Sequence, residues 1–236
     1  MPPGFVRTEV KSTTYDEFLR ELPLKKTGDE VLLFNGKKKN RQDVHEAIID
    51  YDIGKKDLQQ CADAVMRIRA EYLYHSIQFD KIHFNFTNGF NCEYIKYAEG
   101  YRYSVKHNEW VKSATVDYTY ETFKEYLQLV FNYAGSLSLS KELNQVKDLN
   151  DIQPGDVFIK GGSPGHAVIV VDVAKNPTTG LIIFAIAQSY MPAQSIHILK
   201  NFNSPEISPW YNINFGFELV TPEWTFKRNE LMRFAD

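Results

Sequence analysis

The chain has 236 residues, enough for one large domain or two small ones with a substantial core. Charged residues are 24% and hydrophobic residues 43%, as in globular proteins, and the net charge of −3 offers no basic footprint for nucleic acid. No apolar run approaches the roughly 20 residues that span a bilayer, so no transmembrane segment is expected. A signal-peptide core is absent too, and the start Met1-Pro-Pro-Gly reads as a trimmed end. Cys61 and Cys92 could form one disulfide but are too few for a framework, and each also reads as a buried thiol. The 14% aromatic content points first to layered packing and second to a sugar- or peptide-facing cleft.

Thr14-Tyr-Asp-Glu17 has the form of a capping box, which predicts a short helix over Tyr15–Leu22 stopped by Pro23. Val31–Phe34 reads as a strand closing on Asn35-Gly36, a hairpin-turn signal. The basic run Lys37–Arg41 is most simply a solvated loop, and Ala47–Tyr51 a second strand. The clearest helix follows. Asp57 and Gln60 form a second capping-box-like pair, and Leu58, Cys61, Val65, Ile68 and Tyr72 then recur on one helical face. Cys61 falls in the first turn, on the buried side.

Ile82, Phe84 and Phe86 alternate with polar residues as a half-exposed strand ending at Asn88-Gly89. The sequon Asn85-Phe-Thr87 lies inside that strand and is read as chance. Residues 91–117 are mixed, although Asn91 and Cys92 could open a short helix that ends by Gly100. Tyr118–Ala134 is an amphipathic helix burying Phe123, Leu127, Val130 and Phe131 and ending at Gly135. Ser140–Val146 reads as a short third helix.

Three apolar runs come next: Val157–Ile159, Ala167–Val173 and Leu181–Ala187. Gly- and Pro-rich segments separate them, as in an antiparallel sheet. A register pairing Lys175 with Leu181 would set His166 opposite Tyr190, with Gln188 a diagonal neighbour on the same face. Trp210, Tyr211, Trp224 and Phe226 then suggest a wrapping C-terminal segment over about 200–236. With an N-terminal extension over about 1–45, the whole reads as a single α+β domain.

A histidine at a strand mouth beside an amide is half of a Cys-His arrangement. Cys61 could supply the other half, since a thiol in the first helical turn is stabilised as thiolate by the helix dipole and its free N–H groups. His166 would then be the base and Gln188 its orienting partner. Gln60 and Gln59 are candidate oxyanion donors beside the Cys61 N–H. The plain alternative is a core cysteine on an apolar stripe. Cys92 is a weaker nucleophile candidate, because its helix would be too short to hold it.

Gly161-Gly-Ser163-Pro-Gly165 fits the nucleophile elbow of serine hydrolases, with Asp172 and His197 following in order. The elbow requires a helix after the serine, whereas a β-branched run follows here, so Ser163 is not expected to be a nucleophile. Six scattered histidines form no metal-ligand spacing, and no phosphate-cradling loop is present, so no metal or other cofactor is expected.

The segment Gly155-Asp156-Val-Phe, then Gly165-His166-Ala-Val-Ile-Val, then Ala187-Gln188-Ser189 resembles the second half of NlpC-type and CHAP-type papain-like domains. In those families a helix-borne cysteine precedes a strand that opens with the catalytic histidine, and the next strand carries a polar third residue. Their Asp-Cys-Ser nucleophile motif is here Gln-Gln-Cys-Ala, and the Cys-to-His separation is longer. A nearly full-length resemblance is to the bacterial domain-of-unknown-function 4846 family. It is carried by Leu22-Pro-Leu-Lys, Leu58-Gln-Gln-Cys-Ala-Asp-Ala-Val-Met-Arg, Ala134-Gly-Ser-Leu-Ser-Leu and Ala187-Gln-Ser-Tyr-Met-Pro-Ala-Gln. Members often begin with an export signal, which implies a secreted protein or lipoprotein in an extracytoplasmic compartment.

The combined expectation is an α+β papain-like domain of NlpC/CHAP type, its antiparallel sheet packed against the cysteine helix. It would be a cysteine hydrolase, an amidase or endopeptidase acting on peptidoglycan peptide or another amide, with substrate held by Tyr190 and Trp210. The alternative is an inactive extracytoplasmic binding module using the same groove, lined by Tyr190, Trp210 and Trp224.

Overall fold

The three apolar runs are the centre of one antiparallel sheet in a computed structural model that describes residues 1–235. The strands are Val157–Lys160, His166–Lys175 and Ile182–Gln188. His197–Leu199 and His45–Ile48 extend the sheet beyond Ile182–Gln188, and Leu231–Arg233 and Asn144–Gln145 extend it beyond Val157–Lys160. The central strands are apolar at nearly every position because both faces are covered. Ala167, Ile169, Ala185 and Ala187 face the helices, while Val168, Val170, Phe184 and Ile186 face Leu219, Phe226 and Leu231 of the C-terminal segment.

The hairpin register is offset near its turn and as expected at its far end. Lys175 pairs with Ile182 rather than Leu181, and the shift persists to Ala185 opposite Asp172. A bulge then takes up one residue, so that Ile186 meets Val170 and Ala187 meets Ile169. An unbulged ladder counted from the turn therefore agrees with the observed one only beyond the bulge, at Ile186 and Ala187, and the His166 and Tyr190 rings lie 4.8 Å apart.

The cysteine helix spans Cys61–His75 and packs on His166–Lys175. The first helix, Tyr15–Arg20, has the expected Thr14 cap, with the Glu17 N–H donating to its hydroxyl at 3.5 Å. Tyr120–Tyr133 buries the four expected residues. Much of the aromatic content joins these helices: Tyr74 stacks on Phe123 at 4.4 Å, and Tyr94 meets Tyr126 at 5.3 Å.

Several expectations are corrected. Val31–Phe34 makes only isolated bridges, because Leu32 pairs with Lys38 while Leu33 pairs with Gln194. Cys92 lies in a strand, Asn91–Glu93, paired with His83–Asn85, and the helix begins after it at Tyr94. The third helix is Ser136–Glu142, starting where Gly135 donates its N–H to Ser138 Oγ at 3.0 Å, and Asn144–Gln145 is already an edge strand. Neither terminus merely wraps. Val6–Arg7 pairs with Ala174 and Lys175, Trp210–Asn212 pairs with Ile182–Gln188, and Leu231–Arg233 enters the sheet. Both cysteines are free, so the possible disulfide is not formed.

Candidate active site

Two structures dock the start of the cysteine helix. Ser189 donates its hydroxyl to the Gln59 carbonyl at 2.9 Å, and the Ala193 N–H donates to the Asp57 carboxylate at 2.7 Å. Within the helix start, the Asp63 carboxylate accepts the Gln60 N–H at 3.0 Å, so the cap partner of Gln60 is Asp63 and not Asp57. The N–H groups of the first turn, Cys61 and Ala62 among them, have no intrahelical acceptor.

The opposite wall is the loop Gly161–Gly165, pressed against the Ser136–Glu142 helix. A Cβ on Gly161 would come to 2.1 Å from Ser140 Oγ, and one on Gly165 to 2.4 Å from the Gly162 carbonyl oxygen. Glycine is needed there for close approach. Between these walls lies a cleft of about 490 Å³ lined by Gln60, Cys61, Asp63, His166, Tyr190 and Trp224 among others. Cys61 and His166 thus share one cleft, and the backbone N–H of Ala167, the residue after His166, favours the Cys61 thiolate. Cys92 is fully buried away from this cleft, in the second strand of the hairpin His83–Glu93.

A chain of hydrogen bonds fixes the chemistry of His166. Its Nε2 lies 2.8 Å from Gln188 Oε1, and Gln188 Nε2 donates to Glu223 at 2.7 Å. A carboxylate only accepts, so Glu223 sets which way the Gln188 amide points. The amide oxygen then faces His166 and requires Nε2 to carry the proton. Nδ1 is left as the free basic nitrogen. Lys39 holds Glu223 at 2.5 Å, and His197, whose Nδ1 donates to the Ser195 carbonyl at 2.8 Å, lies 3.5 Å from the same Gln188 nitrogen. The imidazole of His166 is packed against Tyr190, Trp224 and Phe226, with centroids 4.8, 5.3 and 5.8 Å away.

Burial sets the charge states. It lowers His166 to about 4, with the Lys39 charge adding and the Gln188 bond opposing. It pushes the Cys61 thiol up, against the opposing pull of the Ala167 N–H and the N–H groups of the helix start. The expected lowering of the thiol by the helix terminus is therefore outweighed by desolvation. Both groups are neutral at rest, a thiol and an imidazole in one cleft. Burial also raises Asp63 to about 8, and its Oδ1 has no hydrogen-bond partner among the described residues.

The remaining sequence candidates divide. Gln60 lines the cleft, with its Nε2 bonded to Asp57 at 3.0 Å and a second hydrogen on that nitrogen. Gln59 does not line it; its side chain turns under the helix, where Oε1 accepts from Arg67 at 2.9 Å. Tyr190 lines the cleft, but Trp210 sits in a separate cavity with Arg7, Arg20 and Asp172. Asp172 is occupied there by ion pairs to Arg7 and Arg20 at 2.6 and 2.9 Å. Ser163 precedes a strand, so the elbow geometry is absent.

Lys39 and Glu223 were not foreseen. Lys39 belongs to a run that reads as solvated, and Glu223 has only its place before Trp224 to single it out. Among the described residues, no group of three or more His, Cys, Asp or Glu is placed to hold a metal ion. Nor, among the described residues, is any helix long and apolar enough to cross a membrane.

Chemically, the cleft offers a thiol, an oriented neutral imidazole and unpaired helix-start N–H groups that could receive an oxyanion. No curated protein and no solved structure matches the chain. A family model described as "Domain of unknown function (4846)" matches residues 1–233, and the chain belongs to that family.

Proposed function

We propose that the protein is a cysteine-dependent amide hydrolase of papain-like type, with Cys61 as nucleophile, His166 as base and Gln188 as the residue that orients it. The observation carrying this reading is the pinned tautomer of His166: its Nε2–H is committed to Gln188, which leaves Nδ1 to take a proton.

In the proposed reaction the thiol proton passes to His166 Nδ1 as sulfur bonds to the acyl carbon. The carbonyl electron pair moves onto oxygen, facing the Cys61 and Ala62 N–H groups and Gln60. Collapse breaks the C–N bond, and the imidazolium returns its proton to the departing amine. Water then attacks the thioester, giving its proton to His166. The acid leaves and the thiol is restored. Glu223 stabilises the transient imidazolium through the Gln188 amide. Tyr190 and Trp224 flank the acyl group.

The test incubates wild type and Cys61→Ser with purified peptidoglycan and a panel of peptide amides, reading released amines. Cys61→Ser and His166→Ala are each expected to abolish turnover, Cys61→Ser while keeping the wild-type melting profile, and their combination should add almost nothing to the loss of turnover. Equal amine release by wild type and Cys61→Ser across the panel would sink the hydrolase reading. The second reading, a binding module using the same cleft, is favoured by the neutral state of both groups, His166 being buried and Cys61 half-buried. It predicts that the cleft binds such peptides without releasing amine. An extracytoplasmic location is part of the proposal on either reading.

A further inference from the structure

A second cavity adjoins the cleft, sharing Leu58 and Phe131 with it and enclosing about 290 Å³. Lys55, Lys56 and Lys124 line it against one carboxylate, Asp52, whose Oδ1 accepts the Gly54 N–H at 2.8 Å. Arg67 at its back is paired with Glu71 at 2.7 Å. This positive charge is local, because the chain as a whole carries −3. Lysines at a surface are by themselves unremarkable, but Gln59 adds an independent feature. Its side chain is 2% exposed and lines this cavity, Oε1 is taken by Arg67, and Nε2 is buried with no acceptor among the described residues. A buried amide donor left without an acceptor is costly. Lys56 Nζ donates to the neutral Gln128 Oε1 at 3.2 Å and Lys124 Nζ lies 5.3 Å over the Tyr120 ring, so these lysines of the cavity are met by neutral groups and neither contact supplies an anionic oxygen.

We propose that this cavity is a subsite for a carboxylate carried by the substrate. The inference rests on the hydrolase reading and narrows its substrates to amides whose chain bears a carboxylate beyond the apolar step of Leu58 and Phe131. The cleft itself is the poorer place for that group: Asp57 lines it, and no lysine or arginine does. An acidic substrate is therefore directed to the lysine side, with its uncharged part over Cys61.

The probes are 4-acetamidobutyrate, its neutral primary amide, and inorganic phosphate. Each is titrated into Cys61→Ala protein at low salt, reading the Gln59 side-chain NH2 signals by 15N NMR. The carboxylate should shift those signals saturably, the neutral amide should not, and phosphate should bind more weakly. A Lys55→Ala/Lys56→Ala/Lys124→Ala variant should lose affinity about tenfold or more, as expected for charge-assisted contacts, whereas Lys→Arg at the same three positions should retain it. Equal shifts from carboxylate and neutral amide, unchanged affinity in the alanine variant, or phosphate binding as tightly as the carboxylate would overturn the proposal. Because the binding is read on a protein without the nucleophile, failure here leaves hydrolysis of neutral amides untouched. Absence of hydrolysis likewise leaves the binding result standing.

Discussion

At the scale of single residues, the orientation of His166 depends on two side chains that never touch a substrate. Glu223→Gln replaces an obligate acceptor with a group that can also donate, so the Gln188 amide is free to turn and the His166 tautomer is no longer fixed. On the hydrolase reading, Glu223→Gln should lower kcat/KM about tenfold to a hundredfold, the worth of one charge-assisted hydrogen bond. Gln188→Ala should cost at least as much, and both less than Cys61→Ser. The pH profile separates this role from a merely structural one. His166, lowered to about 4, is an available base above that pH and is lost as pH falls through it. Alkylation of Cys61 by iodoacetamide at pH 6 to 7 should therefore exceed that of His166→Ala, and Glu223→Gln should lie between them. Identical rates in all three proteins would mean that the thiol reacts without the imidazole. The sequence exposed Cys61, His166 and Gln188 because each sits at a recognisable element boundary. It hid Lys39 and Glu223 because they come from loops 184 positions apart, where no period or motif links them.

At the scale of elements, the sheet contains an interior strand that the sequence does not announce. Leu231–Arg233 is three residues long and lies after a Trp- and Pro-containing segment, so it carries no alternation to read. Its anchor is ionic. Arg233 Nε and Nη2 grip both oxygens of Asp156 at 2.6 and 2.9 Å, and the Gln153 N–H donates to the same carboxylate at 3.0 Å. This explains the Gly155-Asp156 turn before the first central strand: the aspartate is wholly buried and holds the last strand in place. Burial pushes Asp156 up and the Arg233 contact pulls it down, with burial the larger effect. Arg233→Ala would strand that carboxylate, a change worth 3–5 kcal/mol in a fully buried pair; the partial exposure of Arg233 reduces the expectation to about 2–3 kcal/mol. Urea denaturation should show the loss as a lower midpoint with an unchanged slope. A midpoint within error of wild type would make the last strand a passive passenger. The central strands and the two long helices were legible because their apolar periods run for two turns or more. The Ser136–Glu142 helix was misplaced because Gly135 reads as a stop, when it is the residue before a start. The bulge between Val170 and Asp172 was invisible because every position around it except Asp172 is apolar, so the change of face leaves no mark in the pattern.

At the scale of the whole molecule, buried titratable groups give the fold a stability maximum with opposed limbs. His166 and His197 are lowered by burial from 6.5 to about 4 and about 3. The unfolded chain takes up those protons first, so the stability they allow is present above pH 6.5 and is lost as pH falls toward 4. Asp63 acts in the other direction. It is raised from 3.8 to about 8, so the folded protein keeps a proton that the unfolded chain has released, and stability falls as pH rises through that window. Above pH 8 its contribution is constant. Asp63→Asn keeps an oxygen to cap the Gln60 N–H and removes the alkaline penalty. The variant should melt higher than wild type at pH 8 and near wild type at pH 5. Each 1 kcal/mol of that difference corresponds to about 2–4 °C in a chain of this size. The result bears on function as well as stability, because Asp63 lies two residues from the candidate nucleophile. A carboxyl kept protonated beside Cys61 adds no negative charge to oppose thiolate formation, whereas an ionised one would raise the thiol further. A melting difference that is the same at pH 5 and pH 8 would show that Asp63 is ionised throughout, and that the cleft carries its charge at rest.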